Sequence, residues 1–329
     1  MNELIVRSGG LSTTVQDTGR DGQYAIGMPP SGAMDQYSFA VANALVGNPP
    51  GAAALEATYL GPELEFTDPR SVAVTGADCD VAINGEPAPT WAALRVSAGD
   101  VLSFGQVRGG ARPYVAVGGG IDVPLYLGSR STYLLTGIGG FHGRALAGGD
   151  RLPLGEPVGE APVAGTEVPG ELRAEFPDVT ELRFVAGLCA YRLTERALAS
   201  FVEVEWKVTK DADRVGYRLR GGSLEFVERE QPFGAGRDQA NVVDLGYPVG
   251  SVQVPGGDEP IVLLNDAVTG GGYATIGTVI SVDRDRMAQA RTGGRVRFAP
   301  VDVETAVAAR RERRVRLDKA RAAVSAEQR

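Results

Sequence analysis

The chain has 329 residues and a formal net charge of −8. At about 100–200 residues per domain, this length predicts two domains, with one large domain as the alternative. The acidic balance disfavours a dedicated nucleic-acid-binding protein. Glycine (45 residues) and proline (20 residues) make up about a fifth of the chain, against roughly an eighth in an average protein. This excess implies many tight turns and favours a β-rich fold.

Neither a membrane protein nor a metalloprotein is expected. The sequence contains no run of about 18 apolar residues and no signal-peptide pattern at its start, so we expect a cytoplasmic protein without membrane contact. His142 is the only histidine, and Cys79 and Cys189 are the only cysteines, so we predict no metal site. We expect both cysteines to be buried thiols and His142 to be an exposed loop residue, with a general base as its alternative role.

Residues 1–155 are expected to form the first domain. After a strand at residues 4–6 we predict a helix that has Ser31 as its N-cap and ends near Gly47. Short strands follow, and the dipeptide at residues 84–85, Asn-Gly, is typical of a β-hairpin turn.

Residues 156–178 alternate proline and glycine, which predicts a linker; a long ordered connection is the alternative. Residues 179–300 are expected to form a second β-rich domain with one helix over residues 191–202. Residues 301–329 are predicted to be a basic, solvated, partly frayed helix, and a charged surface is favoured over a nucleic-acid-binding role.

Glycine-rich loops that carry charged side chains are the candidate binding elements of the first domain. Ser129 and Arg130 follow Gly128, and Arg144 follows Gly143. Glycine allows backbone N–H groups to point at an anion, and arginine offers a planar fork to a carboxylate or phosphate. Ordinary β-turns with surface arginines are the alternative explanation.

The second domain contains three patterns of interest. Asp213 precedes Arg214, which forms either a structural ion pair or a substrate-binding group. Gln253 shares a strand face with Ser251. A glycine run follows Asp266, and either it lets backbone approach a ligand closely or it forms a wide turn. The candidate residues here are Arg214, Gln253, Asp266, Gly271, Gly272 and Tyr273.

Two cofactor motifs are missing from the sequence. It contains no GxxxxGK[ST] nucleotide-binding motif. None of its three lysines (Lys207, Lys210 and Lys319) lies between methionines, so no biotinyl-lysine attachment site is expected. Biotin would therefore have to be carried by another chain or domain.

Several separated blocks resemble subunit 2 of the allophanate hydrolase family, the carboxyltransferase A/B domain family. The Kip-type antagonist and the C subunit of 5-oxoprolinase belong to this family, and the resemblance extends from about residue 6 to residue 298. The main blocks are residues 14–20, 30–35, 118–121, 128–132, 213–219, 250–255 and 269–273. The chain departs from the family at Ala274, where proline is usual, and at residues 265–268, which lack the basic residues often found there.

The resemblance implies a mainly β fold with a few helices, arranged as two tandem cyclophilin-like β-barrel domains. It also implies a subunit of a heteromeric enzyme that processes an amide or lactam, either an ATP-dependent 5-oxoprolinase or a biotin-dependent carboxyltransferase. The implied partners are allophanate hydrolase subunit 1, or a Kip inhibitor-type subunit, and either a third 5-oxoprolinase subunit or a biotin carrier. The alternative is a non-catalytic regulatory protein that antagonises a Kip-type partner.

The loops and the resemblance together suggest roles for individual residues. The expected catalytic residues are Arg130, Gln253, Asp266 and Tyr273. The expected substrate-binding residues are Asp17, Arg20, Ser129, Arg144, Arg214, Gly271 and Gly272. Arg130 and Arg144 would bind a carboxylate or phosphate, and Gln253, Asp266 and Tyr273 would contact the polarised carbonyl. ATP is implied as a co-substrate of the complex, and biotin only on a partner chain or domain.

Overall fold

The structure is a computed structural model that describes residues 2–159 and 161–326. Residues 1, 160 and 327–329, which fall within the expected domain ranges, lie outside the described part. The chain divides into two compact units. Unit 1 comprises Met1–Arg20, Ser31–Glu175 and Arg314–Arg329, and unit 2 comprises Asp21–Pro30 and Phe176–Arg313. The main division, after Glu175, falls inside the segment for which the sequence predicts a linker.

Unit 1 is built on a nine-stranded sheet in which the described strand pairs are antiparallel. Its strands are β1 (Glu3–Ser8), β2 (Thr13–Gln16), β3 (Ala54–Ala57), β4 (Glu63–Phe66), β5 (Arg70–Ile83), β6 (Glu86–Pro87), β7 (Leu94–Val96), β8 (Val101–Val117) and β9 (Arg151–Pro153). The order is β2-β3-β8-β4-β1-β9, and β5 pairs with β6, β7 and β8. Alternate apolar side chains such as Leu4, Leu64 and Val115 point into one core, as the two-residue period of a strand requires.

The predicted hairpin turn is confirmed. Asn84 and Gly85 separate β5 from β6, and both have positive φ angles, of 54° and 82°. Asparagine and glycine tolerate this left-handed conformation better than other residues, which is why the dipeptide marks the turn.

The first helix starts later than predicted. Helix α1 spans Gln36–Leu45, and its N-cap is Asp35, whose side chain accepts a hydrogen bond from Ser38 N at 2.9 Å. Ser31 lies upstream of this helix start with φ of 52°, so the prediction of Ser31 as N-cap was wrong. A carboxylate next to the first helical turn accepts a hydrogen bond from a free N–H group and is stabilised by the positive end of the helix dipole.

The proline- and glycine-rich segment, in its described residues up to Glu175, is an ordered part of unit 1. Ala93 N donates to Thr166 O at 2.9 Å, and Val168 N donates to Trp91 O at 2.9 Å. The Val168 side chain is fully buried. This part of the segment matches the alternative of an ordered connection, because its backbone groups pair with the strand region around residues 91–93.

Unit 2 contains a closed seven-stranded barrel. The strands of this unit are β10 (Val179–Ala186), β11 (Trp206–Ala212), β12 (Gly216–Arg220), β13 (Asn241–Gly246), β14 (Ser251–Gln253), β15 (Ile261–Leu263), β16 (Gly270–Tyr273), β17 (Thr275–Val279) and β18 (Arg295–Pro300). The barrel order is β10-β17-β14-β15-β12-β11-β18, and β13 pairs with β16 in a separate two-stranded ribbon. One end of the barrel core is aromatic, where Phe201 stacks on Phe298 with ring centroids 4.3 Å apart.

The helices of unit 2 also differ from the prediction. Helix α2 spans Glu195–Glu203 with Thr194 as N-cap, whereas residues 190–192 form a separate 3-10 turn. The predicted helix at residues 191–202 was therefore too early at its start, because the Thr194 side chain accepts a bond from Ala197 N and begins the helix there. Helix α3 spans Asp283–Gln289.

The last helix is better packed than predicted. Helix α4 spans Val303–Ala326. Ala320 and Val324 are buried in a core cluster of unit 1 that includes Tyr37, and the Arg316 guanidinium lies 4.8 Å from the centre of the Tyr37 ring. The expectation of a solvated helix is thus wrong for this part of α4. The mainly β fold with two β-barrel units is confirmed, with a half-barrel sheet in unit 1 and a closed barrel in unit 2.

Candidate active site

Asp17 is the centre of a hydrogen-bond network in unit 1. It directly follows β2 and is 5% exposed. Its carboxylate accepts bonds from Ser129 Oγ at 2.7 Å, Gly19 N at 2.8 Å and Arg130 N at 2.6 Å, and also from Ser131 Oγ. Oδ1 accepts three of these bonds and Oδ2 accepts the one from Arg130 N. Both oxygens therefore hold the 129–131 segment in place.

Arg20 packs against the same segment. Its Nη2 donates to Ser131 O, and the side chain is 2% exposed. Gly139 lies between them with φ of +67°, and a Cβ there would lie 2.1 Å from Ser131 O and 2.8 Å from Arg20 Nη2. Only glycine fits this position. The structure therefore brings Asp17, Arg20 and Ser129 together around the 129–131 segment.

Arg130 and Arg144 have carboxylate partners near the surface of unit 1. Arg130 Nη2 lies 2.7 Å from Asp122 Oδ1, and its Nε donates to Val123 O at 2.8 Å. Arg144 makes two bonds of 2.7 Å to Asp150, and these bonds lower the pKa of that carboxyl. An external anion would have to compete with these internal carboxylates for either arginine.

Arg214 and Asp266 form a buried ion pair in unit 2. Arg214 Nε lies 2.8 Å from Asp266 Oδ2, Nη2 lies 3.1 Å from Oδ1, and the residues are 7% and 2% exposed. The neighbouring Asp213 accepts bonds from Val215 N and Gly216 N and caps that turn. The arginine thus pairs with a carboxylate 52 positions along the chain, and the two residues tie their loops together.

Tyr247 organises the remaining candidates. Its phenol oxygen accepts from Tyr273 N at 2.7 Å, donates to Tyr273 O at 2.8 Å and bonds to the Gln253 side chain. Tyr247 is 2% exposed, and burial raises the pKa of its phenol. A Cβ on Gly271 would lie 2.8 Å from the Tyr247 ring, so the ring needs glycine there. Gln253, Gly271 and Tyr273 therefore surround one buried phenol.

The glycine run is a strand, not a loop or a wide turn. Gly270–Tyr273 forms β16, and Tyr273 pairs with Asn241 and Gly271 with Leu245 on β13. Gly272 is exposed, and the Tyr273 side chain is 41% exposed. The run forms one edge of a thin ribbon that presents backbone and one phenol to solvent.

Sequence reasoning missed two buried tyrosines. Tyr247 is preceded by Gly246 and followed by proline, a turn-like context that hides its role. Tyr114, fully buried, donates to Glu56 Oε2 at 2.8 Å and accepts from Asp35 N at 2.8 Å, and burial raises the pKa of its phenol well above the usual value. The sequence signal was Glu56 itself, a charged residue inside the otherwise apolar strand β3.

The candidates divide between the two units. Unit 1 holds Asp17, Arg20, Ser129, Arg130 and Arg144, and unit 2 holds Arg214, Gln253, Asp266, Gly271, Gly272 and Tyr273. Among residues 2–159 and 161–326, no group of three His, Cys, Asp or Glu side chains could hold a metal ion. His142 is exposed and both cysteines are buried, as predicted. In the same described ranges, no helix is long and apolar enough to cross a membrane.

Known proteins resemble this chain closely. The model of the family described as carboxyltransferase domain, subdomain A and B, matches residues 26–300. The chain is 36% identical over 309 residues to the C subunit of 5-oxoprolinase of Escherichia coli (strain K12), covering 94% of each protein. It is 33% identical over 312 residues to a putative urea carboxylase of Emericella nidulans, covering 94% of this chain but 25% of that protein.

A solved structure also resembles this chain. The crystal structure of Kluyveromyces lactis urea carboxylase matches with a TM-score of 0.90 and 32% identity, over 96% of this chain and 29% of that chain. The chain thus spans about a quarter of the urea carboxylases that it matches. These relatives bear the names of enzymes or enzyme subunits, so they do not support the regulatory alternative. The resemblance seen in the sequence is confirmed, and the chain belongs to the family of carboxyltransferase domains with subdomains A and B.

Proposed function

We propose that this chain is one subunit of a heteromeric enzyme that opens a small lactam, 5-oxoproline, with the use of ATP. The observation that carries the proposal is the end-to-end similarity to the C subunit of 5-oxoprolinase. The E. coli and Haemophilus influenzae proteins are each covered over 94% of their length. The urea carboxylase and urea amidolyase relatives are covered over 29% or less, so a separate subunit is the better functional parallel.

The ribbon of unit 2 supports the chemistry. A lactam carbonyl becomes more electrophilic when positioned hydrogen-bond donors face its oxygen. The Gln253 amide and the exposed Tyr273 phenol would supply such donors, and Tyr247 holds both residues in position. Asp266, whose two carboxylate oxygens are bonded to Arg214, would hold in place the loop that leads into the glycine strand.

Unit 1 would contribute a binding surface. Asp17, Arg20 and Ser129 keep the 128–132 loop rigid, and Arg130 next to them would bind an anionic group by exchanging its bond to Asp122. Arg144 would do the same by exchanging its bonds to Asp150. The exchange at Arg130 costs little, because exposed ion pairs contribute only about 0–1 kcal/mol and Asp122 is 56% exposed. The exchange at Arg144 costs more, because Asp150 is only 11% exposed and holds that arginine through two bonds.

The proposed partners follow from the same parallel. The companion is a subunit of the allophanate hydrolase subunit 1 or Kip inhibitor type, and ring opening is completed by a third protein of the complex. ATP is a co-substrate of this complex. Biotin-dependent carboxyl transfer is the competing chemistry, and it requires a biotin carrier on a partner chain or domain because no lysine here suits biotin attachment.

The test is ADP release by the purified complex of this chain with its co-expressed partner, with and without 5-oxoproline. We expect ADP release that depends on 5-oxoproline. An intact complex that releases no additional ADP would contradict the lactam assignment, and urea with a biotinylated partner would be tried next.

A pair of tyrosine variants sharpens this test. Tyr273→Phe removes a donor from the proposed site, and we expect kcat to fall about tenfold, which corresponds to about 1.4 kcal/mol. Tyr126→Phe is the matched control, because Tyr126 and Tyr273 are exposed to nearly the same extent (42% and 41%). Equal activity of the two variants would remove Tyr273 from the site.

A further inference from the structure

Arg192 is a buried arginine with an unusual set of partners. It ends the 3-10 turn at Ala190–Arg192 and is 3% exposed. Its Nη1 donates to Asn241 O, and its Nη2 lies 3.4 Å from Gln231 Oε1. Its Nε is buried without a hydrogen-bond partner. These partners are neutral oxygens, so they leave the full positive charge of the guanidinium uncompensated.

Arg229 lies beside Arg192 and also has only neutral oxygens as partners. Its Nη2 lies 3.4 Å from the same Gln231 Oε1, and its Nη1 lies 3.5 Å from Tyr191 Oη. Its Nε is also buried without a partner, and its guanidinium lies 5.9 Å from the centre of the Tyr191 ring. Two cations thus converge on one amide oxygen.

Gln231 is fixed so that its oxygen faces both arginines. Its Nε2 donates to Asp238 O at 2.6 Å, and Gln239 Nε2 closes the loop by donating to Arg229 O at 3.0 Å. Because the amide nitrogen is used inside the loop, the oxygen is left as the shared acceptor. The 229–239 loop therefore holds Arg229 and the shared acceptor oxygen in a preformed position beside Arg192.

Other buried arginines of the chain show how this arrangement differs. Arg214 is paired with Asp266 at 2.8 Å, and Arg70 is paired with Asp68 at 2.7 Å. Within residues 2–159 and 161–326, neither Arg192 nor Arg229 has a carboxylate oxygen within 4.0 Å. Burying a charge without a counter-charge is costly, and placing two like charges together adds repulsion. An arrangement of this kind becomes favourable when an anion binds between the two groups.

We propose that Arg192 and Arg229, with Gln231 between them and Tyr191 at the edge, form a binding site for an oxyanion, either a carboxylate or a phosphate. Guanidinium groups bind both anions through paired N–H donors. Tyr191 is 70% exposed, so the site is open to solvent on that side. The bound oxyanion would accept bonds from the two free Nε groups.

The site adjoins the proposed catalytic ribbon. Arg192 binds the carbonyl oxygen of Asn241, and Asn241 is the strand partner of Tyr273. Two sources of the oxyanion fit this position: the carboxylate of a small amide substrate, and a phosphoryl group. The first source rests on the proposed function. The electrostatic argument for the site does not depend on the proposed function.

The test is calorimetric titration of the complex of this chain and its partner, with inorganic phosphate, 5-oxoproline and 2-pyrrolidinone as separate probes. The last is the same lactam without a carboxylate. We expect Arg229→Ala to weaken binding of the oxyanion at least about tenfold, as for loss of a charge-assisted bond. Gln231→Glu places a carboxylate between the arginines, and we expect it to abolish binding without removing either cation.

Arg237→Ala is the matched control, because Arg237 is an exposed arginine in the same loop, and it should bind like the wild type. Thermal melting of each variant, with and without phosphate, checks folding. If Arg229→Ala affects 5-oxoproline and spares 2-pyrrolidinone, the site holds the substrate carboxylate. If it affects phosphate, the site holds a phosphoryl group.

The proposal is overturned if folded Arg229→Ala and Gln231→Glu bind every probe as the wild type does, or if the wild type binds neither phosphate nor 5-oxoproline. Failure of the proposed function gives a different result. In that case ADP release would not respond to 5-oxoproline, while phosphate binding would still depend on Arg229.

Discussion

The Asp17 network of unit 1 and the arginine pair of unit 2 bury polar groups in opposite ways. Around Asp17, one carboxylate accepts bonds from two serine hydroxyls and two backbone N–H groups. Around Arg192, two cations share one neutral oxygen, and two N–H groups have no partner. The first arrangement is complete without a ligand, whereas the second is not. This difference assigns scaffolding to the first and binding to the second.

The largest effect that separates the two regions is expected from Asp17→Asn. The amide keeps one acceptor oxygen, and its NH2 group faces either the Arg130 N–H bonded to Oδ2 or the three donors bonded to Oδ1. We therefore expect the free energy of unfolding to fall by about 3 kcal/mol. Urea denaturation measures this loss. Asp122→Asn is the control, because Asp122 is 56% exposed in its pair with Arg130 and should cost at most about 1 kcal/mol. Equal losses in the two variants would show that the Asp17 network is not a scaffold.

A smaller loss of stability and a specific loss of activity are expected from Tyr247→Phe. Removing the hydroxyl group leaves the backbone N–H and C=O of Tyr273 and the side-chain amide of Gln253 without their partner, at a cost of about 1–2 kcal/mol. In the complex, we expect kcat to fall while the rest of the barrel stays folded. Tyr217→Phe provides the comparison, since Tyr217 is also buried (2% exposed) in this barrel. A similar kcat in both variants would argue against a positioning role for Tyr247.

The smallest effect concerns pH and tests the core of unit 1. Burial raises the pKa of the Cys79 thiol to about 12, from a reference value of 9.0. Since the folded state disfavours the thiolate, the stability contributed by Cys79 is fully present below pH 9 and is lost as the pH rises toward 12. The stability gap between wild type and Cys79→Ala should shrink by about 1 kcal/mol between pH 8 and pH 10. A constant gap would mean that the thiol is accessible to water.

Local signals in the sequence predicted much of the fold. The Asn84-Gly85 turn and the apolar alternation of the strands depend on neighbouring residues, and both are confirmed. The predicted helix starts were less accurate. Ser31 and Asp35 are both residue types that favour the N-cap position, and only the backbone conformation determines which of them begins the helix. The start of α2 was missed for the same reason, at Thr194.

The candidate site was less accessible to sequence reasoning because its contacts are long-range. The pairing of Arg214 with Asp266 joins residues 52 positions apart, and no spacing rule predicts it. Tyr247 was missed since its function depends on the strand pairing of Tyr273. Arg192 is one arginine among thirty in the composition, and only its burial without a carboxylate distinguishes it.

The packing of α4 has a consequence for how the protein is made. Ala320 and Val324 complete a core cluster of unit 1 whose other members include Phe39 and Val41. A ribosome synthesises the intervening barrel before it reaches these residues. Part of the unit 1 core therefore stays exposed until these residues have been synthesised. All residues of unit 2 are available by position 313. We expect the barrel of unit 2 to be the first to reach its final form during translation, and unit 1 to depend more on chaperones.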